Sequence, residues 1–136
     1  MAGKRTLSIA ICFMLLSGLA AGATWYVPDD FPSIQDGINA SSDGDTIIVR
    51  QGVYVENIDF SGKAVALESE MGPALTTIDG NQAGAVATFD SGEGADSVIT
   101  GFTLTNGKRS FGGGVYCYHA SPTITRNVIK LSLIHI

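Results

Sequence analysis

Cysteine and positive charge are both scarce in this sequence. Its 136 residues include two cysteines, and eight Lys or Arg residues stand against 13 Asp or Glu residues. Cys12 lies in the N-terminal apolar segment and leaves Cys117 alone in the remainder, which excludes a disulfide framework within the chain. From Thr24 onward six basic and 13 acidic residues give a formal charge of −7. An acidic surface repels phosphate backbones, and we therefore predict no nucleic-acid partner.

An apolar run long enough to cross a membrane is also missing. The apolar stretch Ile9 to Leu19 is shorter than the roughly 20 residues that a transmembrane helix needs. Lys4 and Arg5 precede it, and Ala21-Gly22-Ala23 follows it, which is the order typical of a secretory signal peptide. We predict a signal peptide over residues 1–23 with cleavage after Ala23, no membrane span in the remainder, and a secreted, cell-surface or periplasmic location.

Residues 24–45 predict an N-terminal cap made of a short strand and a helix. A β-prone apolar tripeptide ends at a proline, and the helix follows. Ile34 and Ile38 are four positions apart and share one helix face, and we expect Asp29 or Asp30 to supply the cap or a first-turn charge. A helix this short is not stable alone, so its apolar face must lie against the rest of the protein.

Beyond residue 45 the chain alternates short β-rich pieces with Gly, Asn and Asp turns. An antiparallel sandwich would show a similar alternation, so the prediction depends on spacing. Isoleucines recur beside turn signals at intervals of roughly 20 to 25 residues, at Ile58, Ile78, Ile99 and Ile124. Such a period is typical of a parallel β-solenoid, and we assign residues 46–130 to its first coils. The helix is expected to cover the exposed end of the first coil.

Two pairs of segments align within this period. One alignment matches three pairs of residues, Ile99 with Ile124, Thr100 with Thr125, and Leu104 with Ile129. The other places Ala64 to Leu67 one predicted coil before the similar segment Ala85 to Thr88. In a parallel solenoid we expect matched residues to stack on each other at the spacing between strands.

Four motifs follow one another between residues 31 and 80. They are Ile-Gln-x-x-Ile, Gly-Asp-Thr-Ile, Gly-x-Tyr-x-Glu and Ile-Asp-Gly, found here at Ile34–Ile38, Gly44–Ile47, Gly52–Glu56 and Ile78–Gly80. In this order the chain resembles the beginning of secreted proteins of the pectate-lyase-like superfamily, and residues 112–129 are similar to the repeats of surface β-helix proteins. The resemblance implies an all-β, right-handed parallel β-helix (solenoid) with a short N-terminal amphipathic capping helix, seen here as its N-terminal part.

Three classes of function stay open, because that superfamily mixes enzymes with non-catalytic proteins. We favour an exported surface β-helix that binds carbohydrate or is non-catalytic, since the repeats match better than any enzyme motif. The alternatives are the N-terminal part of a polysaccharide lyase or pectin esterase acting on acidic polysaccharide, and a structural, adhesin-like repeat protein. No catalytic motif of those enzymes is found, so catalytic residues stay unknown and enzyme activity is left open. No cofactor is evident, although the lyase alternative would allow Ca²⁺ in the full-length protein, and polysaccharide is the expected partner.

Four residues are candidates for contacting a sugar. Tyr116 and Tyr118 alternate along a strand and share one face, where aromatic rings could stack on a sugar. Lys108 and Arg109 form the only basic doublet after the signal peptide and could contact an acidic sugar, although basic loop residues are commonly only solvated. His119, beside a turn, has no second histidine at a metal-binding spacing and is not predicted to be a ligand or base.

Four other residues receive weaker predictions. Asp59 and Asp79 are separated by about one predicted coil and could stack to hold a cation, but Asp79 precedes a glycine and is better explained by turn formation. We expect Cys117 to be buried, with an intermolecular bridge as the alternative. Asn127 is expected to pair with backbone at a turn.

The final six residues, Leu131 to Ile136, break the pattern. A polar turn should follow Ile129, and an apolar run follows instead. Residues 131–136 match the in-frame translation of a common transposon sequencing adapter, which we prefer to a final apolar strand. This reading predicts that the coding sequence was cut during library preparation.

Overall fold

The computed structural model describes residues 22–110 and 112–130. Within them lie one helix, α1 (Ile34–Ala40), and twelve short strands. The strands are β1 (Thr24–Val27), β2 (Thr46–Val49), β3 (Gly52–Val55), β4 (Ile58–Asp59), β5 (Ala66–Ser69), β6 (Thr76–Asp79), β7 (Ala87–Phe89), β8 (Val98–Thr100), β9 (Thr103–Thr105), β10 (Val115–Cys117), β11 (Thr123–Thr125) and β12 (Val128–Lys130).

The strands form three parallel sheets that the chain visits in rotation. Sheet 1 has the order β1-β2-β5-β8-β11, sheet 2 the order β3-β6-β9-β12, and sheet 3 the order β4-β7-β10. From β2 onward each strand pairs in parallel with the strand three places later in the chain. The chain therefore winds as a stacked β-solenoid, and the predicted fold class is confirmed.

Inward-facing residues of successive coils stack in columns that form the core. Ile47, Leu67 and Ile99 are neighbours in the register of sheet 1, and all three are fully buried. On the sheet 3 side the rings of Phe60 and Phe89 lie with their centroids 4.4 Å apart. Burial of apolar surface stabilises the fold by about 25 cal/mol per Å², so continuous columns are its main source of stability.

The predicted repeat is right for the last two coils only. Its three matched pairs stack directly, namely Ile99 on Ile124, Thr100 on Thr125 and Leu104 on Ile129. The wider isoleucine series is wrong, because Ile58 lies in sheet 3, Ile78 in sheet 2 and Ile99 in sheet 1. The second alignment is also wrong, since Leu67 lies in sheet 1 and Ala87 in sheet 3.

Loops of unequal length are the reason for these errors. Along sheet 1, the first complete coil runs from Thr46 to Ala66, the second from Ala66 to Val98 and the third from Val98 to Thr123, so the second is the longest. Strand register is preserved while the turns between strands absorb the extra residues. A fixed sequence period therefore does not return to the same sheet.

Helix α1 begins at a serine cap rather than at the predicted aspartates. The Ser33 hydroxyl accepts a hydrogen bond from the Asp36 N–H at 3.1 Å. Asp30 instead accepts from the Tyr26 N–H at 2.8 Å, and Asp29 pairs with Arg50. The two aspartates therefore act in the turn before the helix. The predicted burial of Ile34 and Ile38 is confirmed.

The helix is held against the N-terminal end of the solenoid by three polar side chains. Glu56 accepts hydrogen bonds from the N–H groups of Ile34 and Gln35, both at 2.9 Å. The Gln35 carboxamide donates to the Asp59 carbonyl at 3.0 Å and accepts from the Asp59 N–H at 2.7 Å. Because Asp59 lies on the edge strand β4, Gln35 takes the place of a further strand.

Lys63 holds the other end of the helix. Its ammonium group donates to the carbonyls of Ile38, Asn39 and Ser41 at 2.9, 2.6 and 2.7 Å. These carbonyls belong to the last turn, where a positive charge is favoured by the helix dipole. Hydrogen bonds at both ends of α1 thus hold it against the first coil, which is the capping position that the sequence predicts.

Some predictions fall on residues that the structure does not describe. The predicted signal peptide, apart from Gly22 and Ala23, and the predicted adapter residues 131–136 lie outside the described residues. Across residues 22–110 and 112–130, no helix is long and apolar enough to cross a membrane.

Candidate functional site

The outer side of sheet 3 carries the candidate site on strand β10. Val115 and Cys117 align with the buried Ala87 and Phe89 and face inward, so Tyr116 faces outward. Arg109, which precedes β10 in the chain, reaches this outer side. There the guanidinium carbon of Arg109 lies 3.7 Å from the centroid of the Tyr116 ring.

The two tyrosines predicted to share a face do lie side by side. The rings of Tyr116 and Tyr118 are parallel to within 6°, with centroids 6.4 Å apart. Tyr118 is 56% exposed, and Tyr116 is partly covered by Arg109. His119 packs edge-to-face against Tyr118 with centroids 4.2 Å apart. We call the set Arg109, Tyr116, Tyr118 and His119 the tyrosine surface.

Both residues of the basic doublet line a pocket that adjoins the tyrosine surface, and Arg109 also belongs to that surface. Lys108 is exposed, and its backbone N–H donates to the Gly84 carbonyl at 2.8 Å, which anchors this part of the chain to the previous coil. Lys108 and Arg109 line an open surface pocket of about 350 Å³ together with Gln82, Ala83 and Ser110. The structure thus places Arg109 against Tyr116, and Lys108 beside Arg109 in the adjoining pocket.

The two weak metal candidates are not brought together. Asp59 aligns with Thr88 in sheet 3, whereas Asp79 aligns with Thr105 in sheet 2, so the expectation that they stack is wrong. Asp59 accepts from the Ser61 N–H at 2.8 Å, which closes a turn. The turns between strands differ in length, so residues about one predicted coil apart in the sequence do not come into contact, as in the isoleucine series.

The Asp79 carboxylate accepts hydrogen bonds from its own turn and from the next coil. Its Oδ1 accepts from the Asn81 N–H at 2.8 Å and from the Asn106 side-chain amide at 3.1 Å. Turn formation, the alternative interpretation from the sequence, accounts for these contacts.

Other carboxylates hold backbone N–H groups between parts of the fold. Glu56 caps α1, and Glu93 accepts from the N–H groups of Ser91 and Gly62 at 2.9 and 2.8 Å. Asp45, only 7% exposed, is another. The Ser42 N–H donates to its carboxylate and holds the pKa of Asp45 below its usual range, against the opposing effect of burial.

The described carboxylates do not fit a Ca²⁺ site. Ca²⁺ takes six to eight oxygen ligands from converging carboxylates and carbonyls. Within residues 22–110 and 112–130, no group of three or more His, Cys, Asp or Glu side chains could hold a metal ion. An open depression of about 470 Å³ is bordered by Asp43, Asp45 and Asp96, but the first two are bonded to backbone N–H groups.

Cys117 is exposed, and the predicted burial is wrong. Its register does place the side chain in the inward column, next to the buried Phe89. It is exposed because β10 is the outermost described strand of sheet 3. Partial desolvation, with the negative charge of Glu93, raises the pKa of the Cys117 thiol.

Asn127 behaves as predicted and joins two coils. Its Oδ1 accepts from the Phe102 N–H at 2.9 Å, and its Nδ2 donates to the Ile99 carbonyl at 2.9 Å. Asn57 bonds the next coil in a similar way, donating to the carbonyls of Gly80 and Ala85. These asparagines are structural.

Reasoning from the sequence missed the contribution of His119. Considered alone, a single histidine beside a turn carries no signal for a site. The available signal is its position directly after Tyr118. The left-handed backbone that turns the chain at this point, φ 52°, is seen only in the structure. The approach of Arg109 to Tyr116 depends on the course of the chain between β9 and β10, which has no sequence signature.

Comparison with protein-family models, curated proteins and solved structures finds no match to this chain. The resemblance to the pectate-lyase-like superfamily therefore rests on the motifs. Their residues have structural roles here, since the Tyr54 hydroxyl donates to the Arg50 carbonyl at 2.9 Å and Glu56 caps the helix.

Proposed function

We propose that this protein is an exported β-solenoid that binds carbohydrate, without catalysis, at the tyrosine surface. The observation that carries the proposal is the parallel pair Tyr116 and Tyr118, outside the core and beside Arg109. Exposed aromatic rings with polar ends suit ligands that have apolar faces and hydroxyl edges, as sugars do. Export is supported by the N-terminal pattern of residues 1–23.

The tyrosine surface offers three kinds of contact to a sugar. The exposed ring of Tyr118 provides an apolar area for C–H groups. The hydroxyls of Tyr116 and Tyr118 can donate and accept hydrogen bonds. Arg109 and Lys108 carry positive charge, and a guanidinium matches a carboxylate in a two-bond arrangement.

The negative charge of the protein does not oppose this assignment. Local charge decides the binding of a small ligand, because salt screens charges more than about 8–10 Å away. Two of the six basic residues after residue 23 lie at or beside the tyrosine surface.

A binding experiment on the whole chain tests the proposal. Isothermal titration with oligogalacturonate as an acidic probe, and with cello- and xylo-oligosaccharides as neutral probes, should show binding of at least one probe. Tyr118→Ala should weaken binding about fivefold or more, since stacking on one aromatic ring is worth about 1–3 kcal/mol where it has been measured on nucleobases.

Tyr26→Ala is a matched control. Tyr26 also packs against an arginine, with the Arg50 guanidinium carbon 4.4 Å from its ring centroid, but it lies in sheet 1. Its loss should leave sugar affinity unchanged. Binding that survives both Tyr116→Ala and Tyr118→Ala would contradict the assigned surface, and release of ultraviolet-absorbing unsaturated uronates from the acidic probe would contradict the absence of catalysis.

A further inference from the structure

The pocket that adjoins the tyrosine surface is lined by hydrogen-bond donors. It measures about 350 Å³, and its lining residues are Gln82, Ala83, Lys108, Arg109 and Ser110. Lysine and arginine side chains are cationic and only donate, and a glutamine carboxamide and a serine hydroxyl can also donate. No Asp or Glu of the described chain lines it, although 13 acidic residues stand against six basic ones from residue 24 onward. A concave site with this lining favours an anion, and we call it the donor pocket.

Backbone hydrogen bonds hold the two walls of the donor pocket against each other. The Lys108 N–H donates to the Gly84 carbonyl at 2.8 Å, and the Gln82 N–H donates to the Asn106 carbonyl at 2.7 Å. One wall belongs to the turn between β6 and β7, and the other belongs to the segment between β9 and β10. The backbone of the pocket is therefore ordered without a ligand, which lowers the ordering cost of binding.

The charges of the donor pocket are not used by the protein itself. Ion pairs between described residues are formed by Arg50 only. Asp79, at the start of the same turn, instead accepts hydrogen bonds from Asn81 and Asn106. Lys108 thus forms no ion pair with a described carboxylate. Its ammonium is a compact charge with three donors on a flexible stem, so it can meet an oxyanion of any shape.

The donor pocket and Tyr118 lie at opposite ends of the same strands. β7 and β10 are parallel neighbours, and the Ala87 N–H at the start of β7 donates to the Gly114 carbonyl just before β10. The pocket residues precede these strands in the chain, whereas Tyr118 follows β10. Tyr116, with Arg109 over its ring, lies between them. At about 3.3 Å per residue, β10 alone spans roughly 10 Å, which is more than the width of one sugar ring.

We infer that Tyr118 and the donor pocket are the two ends of one extended site for an anionic oligosaccharide. Tyr118 stacks on one sugar unit, and the pocket binds an anionic substituent of another unit, which is a carboxylate or a sulfate ester. Lys108 is the residue that selects anionic chains over neutral ones. This inference rests on the proposed sugar-binding function and adds the class of sugar and the length of the ligand.

Calorimetric titration of the whole chain with three oligosaccharides of equal length tests the inference. The probes are oligogalacturonate, which carries carboxylates, a sulfated galactan oligosaccharide, which carries sulfate esters, and a neutral cello-oligosaccharide. Lys108→Met removes the ammonium and keeps the length of the side chain. Lys130→Met is the matched control, because it changes the net charge equally at an exposed position in sheet 2. Circular dichroism confirms that each variant is folded.

We expect at least one anionic probe to bind about two- to fivefold more tightly than the neutral probe, the size of an exposed charge pair. The preferred probe identifies the substituent. Lys108→Met should abolish this preference, and Lys130→Met should retain it. Neutral binding as tight as that of both anionic probes would overturn the inference, as would a preference that survives in Lys108→Met or is lost equally in Lys130→Met. Absence of binding of any probe would overturn the proposed function, and the inference with it.

The length of the ligand gives a second test. A monosaccharide cannot reach Tyr118 and the donor pocket together, so Tyr118→Ala and Lys108→Met should not both weaken the binding of galacturonate monomer. Both substitutions should weaken the binding of the preferred anionic oligosaccharide. If both weaken the binding of the monomer, one sugar unit contacts both residues and the extended arrangement is wrong.

Discussion

The Gln35 side chain forms both hydrogen bonds of a missing strand with the backbone of Asp59. Its carboxamide accepts from the Asp59 N–H at 2.7 Å and donates to the Asp59 carbonyl at 3.0 Å. A carboxamide carries the same donor and acceptor as a peptide group, so it can complete a strand edge without being part of a strand. An open edge invites pairing with other chains, and Gln35 closes that of β4.

Replacing Gln35 by methionine should destabilise the fold. Methionine has a similar length but leaves the Asp59 N–H and carbonyl without their partner. Unsatisfied groups of this kind cost about 1–3 kcal/mol when buried, and the half-exposed position of Asp59 puts the expected loss near the lower value. Urea unfolding measures it. Asn39→Ala, which removes only the bond that Gln35 makes to an exposed neighbour, should cost less, and equal losses would contradict the assigned role.

Removal of the Glu56 carboxylate should loosen the helix. Glu56→Ala leaves the first two N–H groups of α1 without acceptors and removes a negative charge from the positive end of the helix dipole. A loss of about 1–2 kcal/mol is expected, as for other helix caps. Thermal melting followed by circular dichroism measures it. Glu68→Ala, in the middle of sheet 1, is the control and should change stability by less than about 0.5 kcal/mol.

The Asp45 carboxylate should make the stability of the fold decrease at low pH. Its folded pKa is lowered chiefly by the Ser42 N–H, with help from the Trp25 indole N–H and the Ala23 N–H, so the folded state holds the charged form. This stabilisation is fully present above the unfolded value of about 3.9 and is lost as the pH falls through the lower folded value. Asp45→Asn should therefore melt at a lower temperature than wild type at pH 7, and the difference should shrink below about pH 4. A constant difference down to pH 2 would contradict this.

Thr76→Val should leave stability unchanged or increase it. The Thr76 side chain is fully buried, and its hydroxyl has no hydrogen-bond partner among the described residues. An unsatisfied buried hydroxyl costs about 1–3 kcal/mol, and valine keeps nearly the same shape. The free energy of unfolding in urea measures the effect. Thr103→Val is the matched control and should destabilise, because the Thr103 hydroxyl donates to the Pro73 carbonyl at 2.7 Å.

The stability lost on truncating a core residue should depend on the position of its coil in the stack. Leu104 is fully buried between Ile78 and Ile129, whereas Ile129 is 50% exposed. Leu104→Ala should cost about 2–5 kcal/mol, as buried leucines do, and Ile129→Ala clearly less. Comparison of the two melting temperatures tests the register, and equal losses would contradict it.

The sequence predicted local structure better than it predicted stacking. Alternating β-prone residues between turn signals locate the strands. Successive side chains of a strand point to opposite faces, so the pattern depends only on residues within that strand. Stacking partners depend on how many residues each turn inserts, and the long coil between Ala66 and Val98 carries no local mark of its extra length. Ile99 and Ile124 were matched correctly because the distance between them in the sequence is one true coil of sheet 1.

The candidate site was predictable in part. Alternation along one strand placed Tyr116 and Tyr118 on a common face. The approach of Arg109 to Tyr116 was not predictable, because it depends on where the chain between β9 and β10 crosses the sheet. The burial predicted for Cys117 failed for a different reason. The side chain does lie in the inward column, but burial also needs a neighbouring coil on both sides, which β10 lacks in the described part of the chain.

The Gln35 closure also sets a direction in which the protein is built. With β4 closed on one side, later strands of sheet 3 add only on the other side, in the order of synthesis. A coil that docks on the open side meets a strand that already lies in a sheet, and its pairing partner is one coil earlier in the chain. The long-range search that parallel sheets ordinarily require is thereby reduced to the closure of one coil at a time.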